Sequence, residues 1–491
     1  MKMKKIILLA FVSVLFSTAV FVEFIRPVEA SGTIYISSDY TFTSNIYEPI
    51  VVTADNIIID GAGYTVQGTG SGTGIDLSDR SNVTLKNVEV TNFTTGILLF
   101  YSSNNTLAGN TVSSNNEYGI HLFFSSNNVL TGNTVSSNNE YGILLIRSSN
   151  NVLTGNNASN NQYNFGVDGW FFSDFNNYVD TSNTVDGKPI YYLIGVADAV
   201  YDAETNAGTI YLINSNNITI KDLTLTKNYF GALFFNTTNS KIENITASNN
   251  YIGIFLFYSS NNTITGNTAS SNGFRGISLY SSSNNVFFHN NLISNTVQAS
   301  AHPTGDVNTW DDGYPSGGNY WSDYNGTDLF SGPYQNETGS DGIGDTAHVI
   351  NANNTDNYPL NGMFSDFNAT SEYHVQTICN STISDFQYNG TAISFNVTGE
   401  TDTIGFCGIC IPTALMNVTY KVYVNVTEVS YDLLPCSNST HSYLYFTYNL
   451  STQEVIVIPE FPTGTSMLLI LILLSIAIAI YKRRLLKTPT H

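Results

Sequence analysis

Asn127-Asn128-Val129-Leu130-Thr131-Gly132-Asn133-Thr134-Val135 repeats, nearly letter for letter, Asn104-Asn105-Thr106-Leu107-Ala108-Gly109-Asn110-Thr111-Val112, and it returns as Asn150-Asn151-Val152-Leu153-Thr154-Gly155-Asn156, each copy 23 residues after the last. The tetrads Gly96-Ile97-Leu98-Leu99, Gly119-Ile120-His121-Leu122 and Gly142-Ile143-Leu144-Leu145 keep the same step. A second block carries Gly231-Ala232-Leu233, Gly253-Ile254-Phe255 and Gly276-Ile277-Ser278 at steps of 22 and 23, with Asn261-Asn262-Thr263-Ile264-Thr265-Gly266-Asn267 in phase. A unit this short, with three brief β-rich runs, cannot bury its apolar face alone, whereas stacked copies bury continuous columns. Leu107, Leu130, Leu153 and Ile264 then stack inside, beside columns of Val112 and Val135 and of Ile97, Ile120 and Ile143. Gly and Asn between the runs tolerate left-handed backbone, and Asn at equal positions of successive coils forms a hydrogen-bonded ladder. Asn110, Asn133 and Asn156 are the clearest members. The helical half of a leucine-rich repeat is missing, which leaves a parallel β-helix of about 23-residue coils.

The Asn-Asn-x-[Ile/Val/Leu]-x-Gly-Asn and Gly-Ile-x-Leu pattern resembles the NosD-like or CASH (carbohydrate-binding and sugar-hydrolysing) family of right-handed parallel β-helices, over roughly residues 31–300. The resemblance implies the fold and leaves activity open. The family includes copper-maturation proteins, polysaccharide lyases, glycosidases, uronate epimerases and members without a catalytic role.

Outside the repeat, the expected order is a signal peptide at 1–30, the β-helix at 31–302 with an insertion at 165–212, a Gly/Asp/aromatic-rich cap at 303–362, a β-sandwich-like domain at 363–457 and an anchor at 458–491. A long insertion in a solenoid lies over one face, and Trp170, Phe171, Tyr191 and Tyr192 are candidates for a platform on which a sugar ring stacks, or for the seal of an enlarged coil. In the cap, Ser340-Asp341-Gly342-Ile343-Gly344-Asp345 alternates hard oxygen donors with glycine, so Asn336, Asp341 and Asp345 are candidate Ca²⁺ ligands; a metal-free capping loop is the alternative. Alternating runs such as Val418-Thr419-Tyr420-Lys421-Val422-Tyr423-Val424 argue antiparallel strands for the sandwich. All four cysteines, Cys379, Cys407, Cys410 and Cys436, fall there, and in an exported domain an even number reads as two disulfides of undecided connectivity. Cys407-Gly408-Ile409-Cys410 also has redox or metal spacing, without the supporting context of either.

Met1-Lys2-Met3-Lys4-Lys5, an apolar run at 6–22 and Glu29-Ala30-Ser31-Gly32 follow the order of a secretory signal. The apolar run 465–481 is followed by Lys482, Arg483, Arg484 and Lys487, which predicts one spanning helix with the body outside. Pro459-Glu460-Phe461 before that helix, with the basic tail, resembles the PEF-CTERM sorting signal of archaeal surface proteins, in which the tail is cut and replaced by lipid. A retained membrane anchor and a processed one are both open. Dense Asn-x-Ser/Thr triplets, Asn82, Asn157 and Asn389 among them, fit an exported glycoprotein.

Asp and Glu number 38 against 17 Lys and Arg, giving a formal charge of −21, so no basic field exists to neutralise nucleic acid. Catalysis on stacked coils needs carboxylates on adjacent turns, and Glu117 and Glu140, both in Asn-Asn-Glu-Tyr-Gly, meet that test. They are also repeat-locked turn residues, with Gln162 near the third equivalent place. Arg147 and Arg275 read as isolated, and His121 and His289 as single and exposed. Copper is not expected, because Met1, Met3, Met363, Met416 and Met467 form no cluster. The sequence therefore predicts a surface-anchored structural, adhesive or carbohydrate-binding protein, leaning away from catalysis, with glycans or other surface-layer proteins as partners. A polysaccharide lyase, glycosidase or epimerase is one alternative and a calcium-dependent adhesin another.

Overall fold

The computed structural model describes residues 32–416 and 419–460. The signal-like segment 1–30, the apolar run 465–481, the basic tail and Phe461 lie outside the described residues. Among the described residues no helix is long and apolar enough to cross a membrane. Two compact units are present, one running to Ile194 with Asn206–Ile213 and Leu225–Gly231, the other made of Gly195–Thr205, Asn214–Thr224 and the chain from Ala232 onward.

The first unit is a parallel β-helix of three sheets. Thr95–Phe100, Tyr118–Phe123, Tyr141–Ile146 and Tyr163–Asp168 are successive rungs of the first sheet. The second holds Thr106–Ala108, Val129–Thr131 and Val152–Thr154, and the third Thr111–Ser113, Thr134–Ser136 and Asn157–Ser159. Register follows the repeat. Leu85, Leu107, Leu130 and Leu153 stand opposite one another, as do Val90, Val112, Val135 and Ala158 and Ile97, Ile120, Ile143 and Phe165. These columns are almost fully buried, and their removal from water is the main favourable term in folding.

The asparagine ladders form. Asn110 Nδ2 donates to Asn133 Oδ1 at 2.9 Å and Asn133 Nδ2 to Asn156 Oδ1 at 2.8 Å. Each carbonyl oxygen also accepts the backbone N–H of the preceding ladder member, and each Nδ2 also reaches a main-chain carbonyl, as Asn133 does at Leu107 O. Two further ladders run through Asn105, Asn128 and Asn151 and through Asn115, Asn138 and Asn161. These rungs thus bury amides whose donors and acceptors are paired, which is the condition for a polar group inside a core.

The expected insertion is less of a break than the sequence suggests. Tyr178–Val179 pairs with Val152–Leu153, and Thr184–Val185 pairs with Asn157–Ala158, so the second and third sheets continue. Asn177 and Asn183 prolong two ladders at enlarged steps of 26 and 27 residues. The extra residues form the short helix Phe172–Phe175 at the corner.

The second unit contains parallel coils of its own: Ile220, Ile242, Ile264 and Phe287 form one column, and Ile252–Phe257, Arg275–Tyr280 and Val297–His302 form one sheet. Trp310 stacks on Phe287 at 4.2 Å and covers the last coil. Asn354 Oδ1 accepts from Asn308 and from Trp310 Nε1, and Asp356 Oδ2 accepts from Asn319 N and Trp321 Nε1. Beyond the cap, two five-stranded antiparallel sheets enclose a core that includes Val375, Phe395, Cys407, Val422 and Phe446. Its last strand, Gln453–Pro459, runs past the expected boundary at 457.

The cysteine expectation is corrected by strand geometry. Cys379 and Cys407 face each other across neighbouring strands and are bonded, whereas Cys410 and Cys436 are free thiols. Cys407 and Cys410 are three residues apart in Ile404–Pro412, so their side chains leave opposite faces of the strand. That disposes of the redox reading of the Cys407-to-Cys410 spacing.

Candidate functional site

In the first sheet of the first unit, side chains alternate inward and outward. With Ile97, Ile120, Ile143 and Phe165 inward, Leu98, His121, Leu144 and Gly166 form one outward column and Phe100, Phe123, Ile146 and Asp168 another. The first residues of three of these strands are Tyr118, Tyr141 and Tyr163, with ring centroids 5.1 and 5.4 Å apart. The turns after them contribute Tyr101 and Phe124, stacked at 5.0 Å with 4° between planes. The Arg147 guanidinium lies 5.2 Å from the Phe124 centroid and 5.9 Å from that of Trp170. Tyr101, Phe124, Arg147 and Trp170 thus follow one another along the coil stack, and Tyr101, Arg147 and Trp170 are exposed.

Titratable groups punctuate this face. His121 stacks on Tyr118 at 4.5 Å, its Nε2 is buried without a hydrogen-bond partner, and burial pushes its pKa down to about 4. The expectation of an exposed His121 therefore fails: the ring is half-buried, with Tyr118 stacked on it. The expectation for His289 fails too, since it is buried against Phe364 at 3.8 Å. Asp168 accepts from Tyr229 Oη at 3.1 Å and from Gly169 N at 2.9 Å. Burial pushes its pKa up to about 6, outweighing those donors and the nearby Arg147. Tyr229 packs so closely over Gly166 that a Cβ there would stand 2.6 Å from Tyr229 Cβ, which only glycine avoids.

Glu117 and Glu140 do occupy adjacent rungs, with Glu140 N donating to Glu117 O at 3.2 Å. Both are half-buried. The Glu117 pKa is raised, first by burial and then by the like charge of Glu140. The aromatic platform is not assembled as expected. Trp170 and Phe171 are exposed, but Tyr192 is buried, donating its hydroxyl to Phe175 O at 2.6 Å and stacking on Tyr211 at 5.2 Å. Tyr191, the next residue of the same strand, points to the opposite face. Phe172 and Tyr178 are the exposed aromatics that join Trp170 and Phe171 in the inserted segment. Tyr118, Tyr141, Asp168 and Tyr229 were not singled out by sequence reasoning.

In the cap, Asp341 and Asp345 accept hydrogen bonds from neighbouring loop groups. Asp345 accepts from Leu329 N, Phe330 N and Thr327 Oγ1, each at 3.0 Å. Asp341 accepts from Ile343 N and Gln335 Nε2, while Asn336 is exposed. Among the described residues there is no group of three or more His, Cys, Asp or Glu that could hold a metal ion. Pro459 closes the last sandwich strand opposite Tyr420, and Glu460 N donates to Thr419 O at 2.7 Å.

A family model described as "Right handed beta helix region" matches residues 45–206, and one described as "Periplasmic copper-binding protein (NosD)" matches residues 178–326. No curated protein matches the chain. Similar solved structures include the A-module of the Azotobacter vinelandii mannuronan C-5 epimerase AlgE6, at 12% identity, covering 56% of this chain and 79% of that one with a TM-score of 0.23. The alginate lyase of Paenibacillus sp. str. FPU-7 is 11% identical, with 57% and 92% covered and a TM-score of 0.23. The catalytic domain of a GH87 alpha-1,3-glucanase is 12% identical, with 59% and 65% covered and a TM-score of 0.24. The copper in the second family description finds no fitting donor set among the described residues: Met416 is buried in the sandwich core, and the two free thiols stand without a third histidine, cysteine or carboxylate ligand.

Proposed function

This chain belongs to the NosD-like family of right-handed β-helix repeat proteins, and on that premise we propose that it is an exported glycan-binding protein whose contact face is the outward side of the first sheet in its first unit. One observation carries the reading: Tyr101, Phe124, Arg147 and Trp170 line up along the coil axis, stacked at 5.0 to 5.9 Å and largely exposed. Coils rise by about 4.8 Å, so the column presents an aromatic or guanidinium surface at every rung, and amphipathic rings bury the apolar faces of sugars while their neighbours hydrogen-bond the hydroxyls. Export rests on the charged, apolar, small-residue order of the N-terminal segment and agrees with the periplasmic description of the matched family. Attachment through the C-terminal apolar run, retained or replaced by lipid, belongs to the same proposal.

The test is retention of the protein on a panel of immobilised polysaccharides, comparing wild type with Phe124→Ala and Trp170→Ala. Loss of retention by about tenfold in either variant, with unchanged circular dichroism, is the expected result; each truncation removes one stacking surface, and about 1 kcal/mol or more goes with it. Retention that ignores both substitutions overturns this placement of the face. A catalytic reading has one observation in its favour, the half-buried Asp168 raised by burial to about 6 beside Tyr229, nearer the operating pH at which a general acid or base is effective. Release of reducing or unsaturated ends that disappears in Asp168→Asn, or in Glu117→Ala, would establish it. A calcium-dependent adhesin remains a third proposal, resting on the Asp-Gly pattern at 341–345, and requires retention or melting to change on adding Ca²⁺ after chelation.

A further inference from the structure

In the second unit, Arg275 opens the strand Arg275–Tyr280, and its surroundings are unusual for a cation. The guanidinium lies 4.1 Å from the centroid of Phe274, its Nη1 donates to Ser278 Oγ at 3.3 Å, and its Nε is buried without a hydrogen-bond partner. Arg80, Lys86 and Lys421 each have a carboxylate partner, whereas Arg275 has no acidic group within ion-pair distance among the described residues. Burial accordingly pushes its pKa down, with only the Tyr251 phenol acting against this. A partly desolvated guanidinium without a counter-ion is costly, and the cost is recovered when an oxyanion arrives to take its paired donors. The buried Ser278 holds the guanidinium in place, and the half-buried Ser300, opposite it on the next rung with hydroxyls 3.5 Å apart, stands beside it as a further donor. Phe255 faces the same column one rung earlier, and the Phe257, Tyr280 and His302 column runs alongside.

We infer that Arg275, held by Ser278 and flanked by Ser300, forms an oxyanion subsite that takes a single carboxylate or sulfate group carried on a glycan. The inference deepens the glycan reading and rests on it for the identity of the carrier. The charge of −21 decides which glycans qualify: the field of the whole chain repels a densely charged polyanion, so a largely neutral chain with sparse anionic groups is the expected ligand. Arg stacked on an aromatic ring and forked toward its ligand is not replaced by Lys at such a site.

The experiment measures retention of the full chain on dextran, on sparsely sulfated dextran, and on a largely methyl-esterified oligogalacturonide with a few free carboxylates against its fully esterified form, at two salt concentrations, for wild type, Arg275→Gln, Arg275→Lys and, as a control cation in the sandwich, Lys421→Gln. Expected is at least about tenfold tighter retention of one charged probe than of its neutral counterpart, abolished by Arg275→Gln, not restored by Arg275→Lys and weakened by salt. The sulfated and carboxylated arms identify the anion. Equal retention of charged and neutral probes overturns the subsite while leaving glycan binding intact, and so does a charge preference that survives Arg275→Gln in a protein with native circular dichroism. Retention of none of the four probes overturns both readings.

Discussion

At the level of single residues, the polar interior of the coils is the feature most sensitive to substitution. Asn133 Oδ1 accepts from the main-chain N and the Nδ2 of Asn110, while its own Nδ2 donates to Leu107 O and Asn156 Oδ1. Asn133→Ala removes one side chain but leaves several buried partners unpaired, and each such group costs about 1–3 kcal/mol. The expected loss in denaturant-derived stability is therefore at least about 2 kcal/mol. Asn139→Ala, at an exposed turn one strand away, should stay within about 0.5 kcal/mol. Equal effects at the two positions would mean that the ladder amides are not satisfied as described. The ladder was legible in the sequence because its members recur as the same letter at the same step. The candidate site was not, since its outward column changes identity at each rung, from Leu98 to His121 to Leu144 to Gly166, and only inward positions are held constant by packing. Tyr229, which caps Gly166 and bonds Asp168, comes from a separate stretch of chain that no periodicity connects to it.

At the level of elements, the period-2 alternation of a strand decides chemistry that spacing alone leaves ambiguous. Cys407 and Cys410 belong to one strand but to opposite faces, and Cys379 is the residue directly across from Cys407. Alkylation of the unfolded, unreduced protein followed by peptide mapping should find Cys379 linked to Cys407 and both Cys410 and Cys436 alkylated. A bond from Cys410 to Cys407, or four modified thiols, would contradict the register of these strands. The same alternation separates Tyr191 from Tyr192, which sequence reasoning had placed on one platform. The inserted segment shows the limit of periodicity in the other direction. Its strands Tyr178–Val179 and Thr184–Val185 are only two residues long and its ladder steps stretch to 26 and 27, so the pattern disappears from the sequence while the coil persists.

For the whole molecule, the balance between buried carboxyls and buried imidazoles sets how stability depends on pH. Asp356 and Asp328 are each pushed up to about 7, burial being the larger effect in both despite the N–H donors they accept from. Asp168 and Asp341 rise to about 6 for the same reason. Unfolded carboxyls titrate at about 4, so between the two values the native state holds the extra proton and stability falls as pH rises. The histidines work the other way. His121, His289 and His348 are all lowered by burial, the first to about 4, so the unfolded state holds the extra proton below about pH 6.5 and stability there rises with pH. The opposing contributions overlap, but above about pH 6.5 the unfolded imidazoles are less than half protonated and their contribution fades, while Asp356 and Asp328 are still titrating. Self-repulsion at a formal charge of −21 adds a change of the same sign. The melting temperature should accordingly decline between about pH 6.5 and 7.5. In Asp356→Asn, which keeps an oxygen for Asn319 N and Trp321 Nε1, the decline should be shallower, and added salt should reduce the self-repulsion in both proteins without removing the difference between them. A melting temperature that rises across this window, or a variant as steep as wild type, would show that the cap carboxyl is ionised in the folded protein and that its N–H donors outweigh its burial.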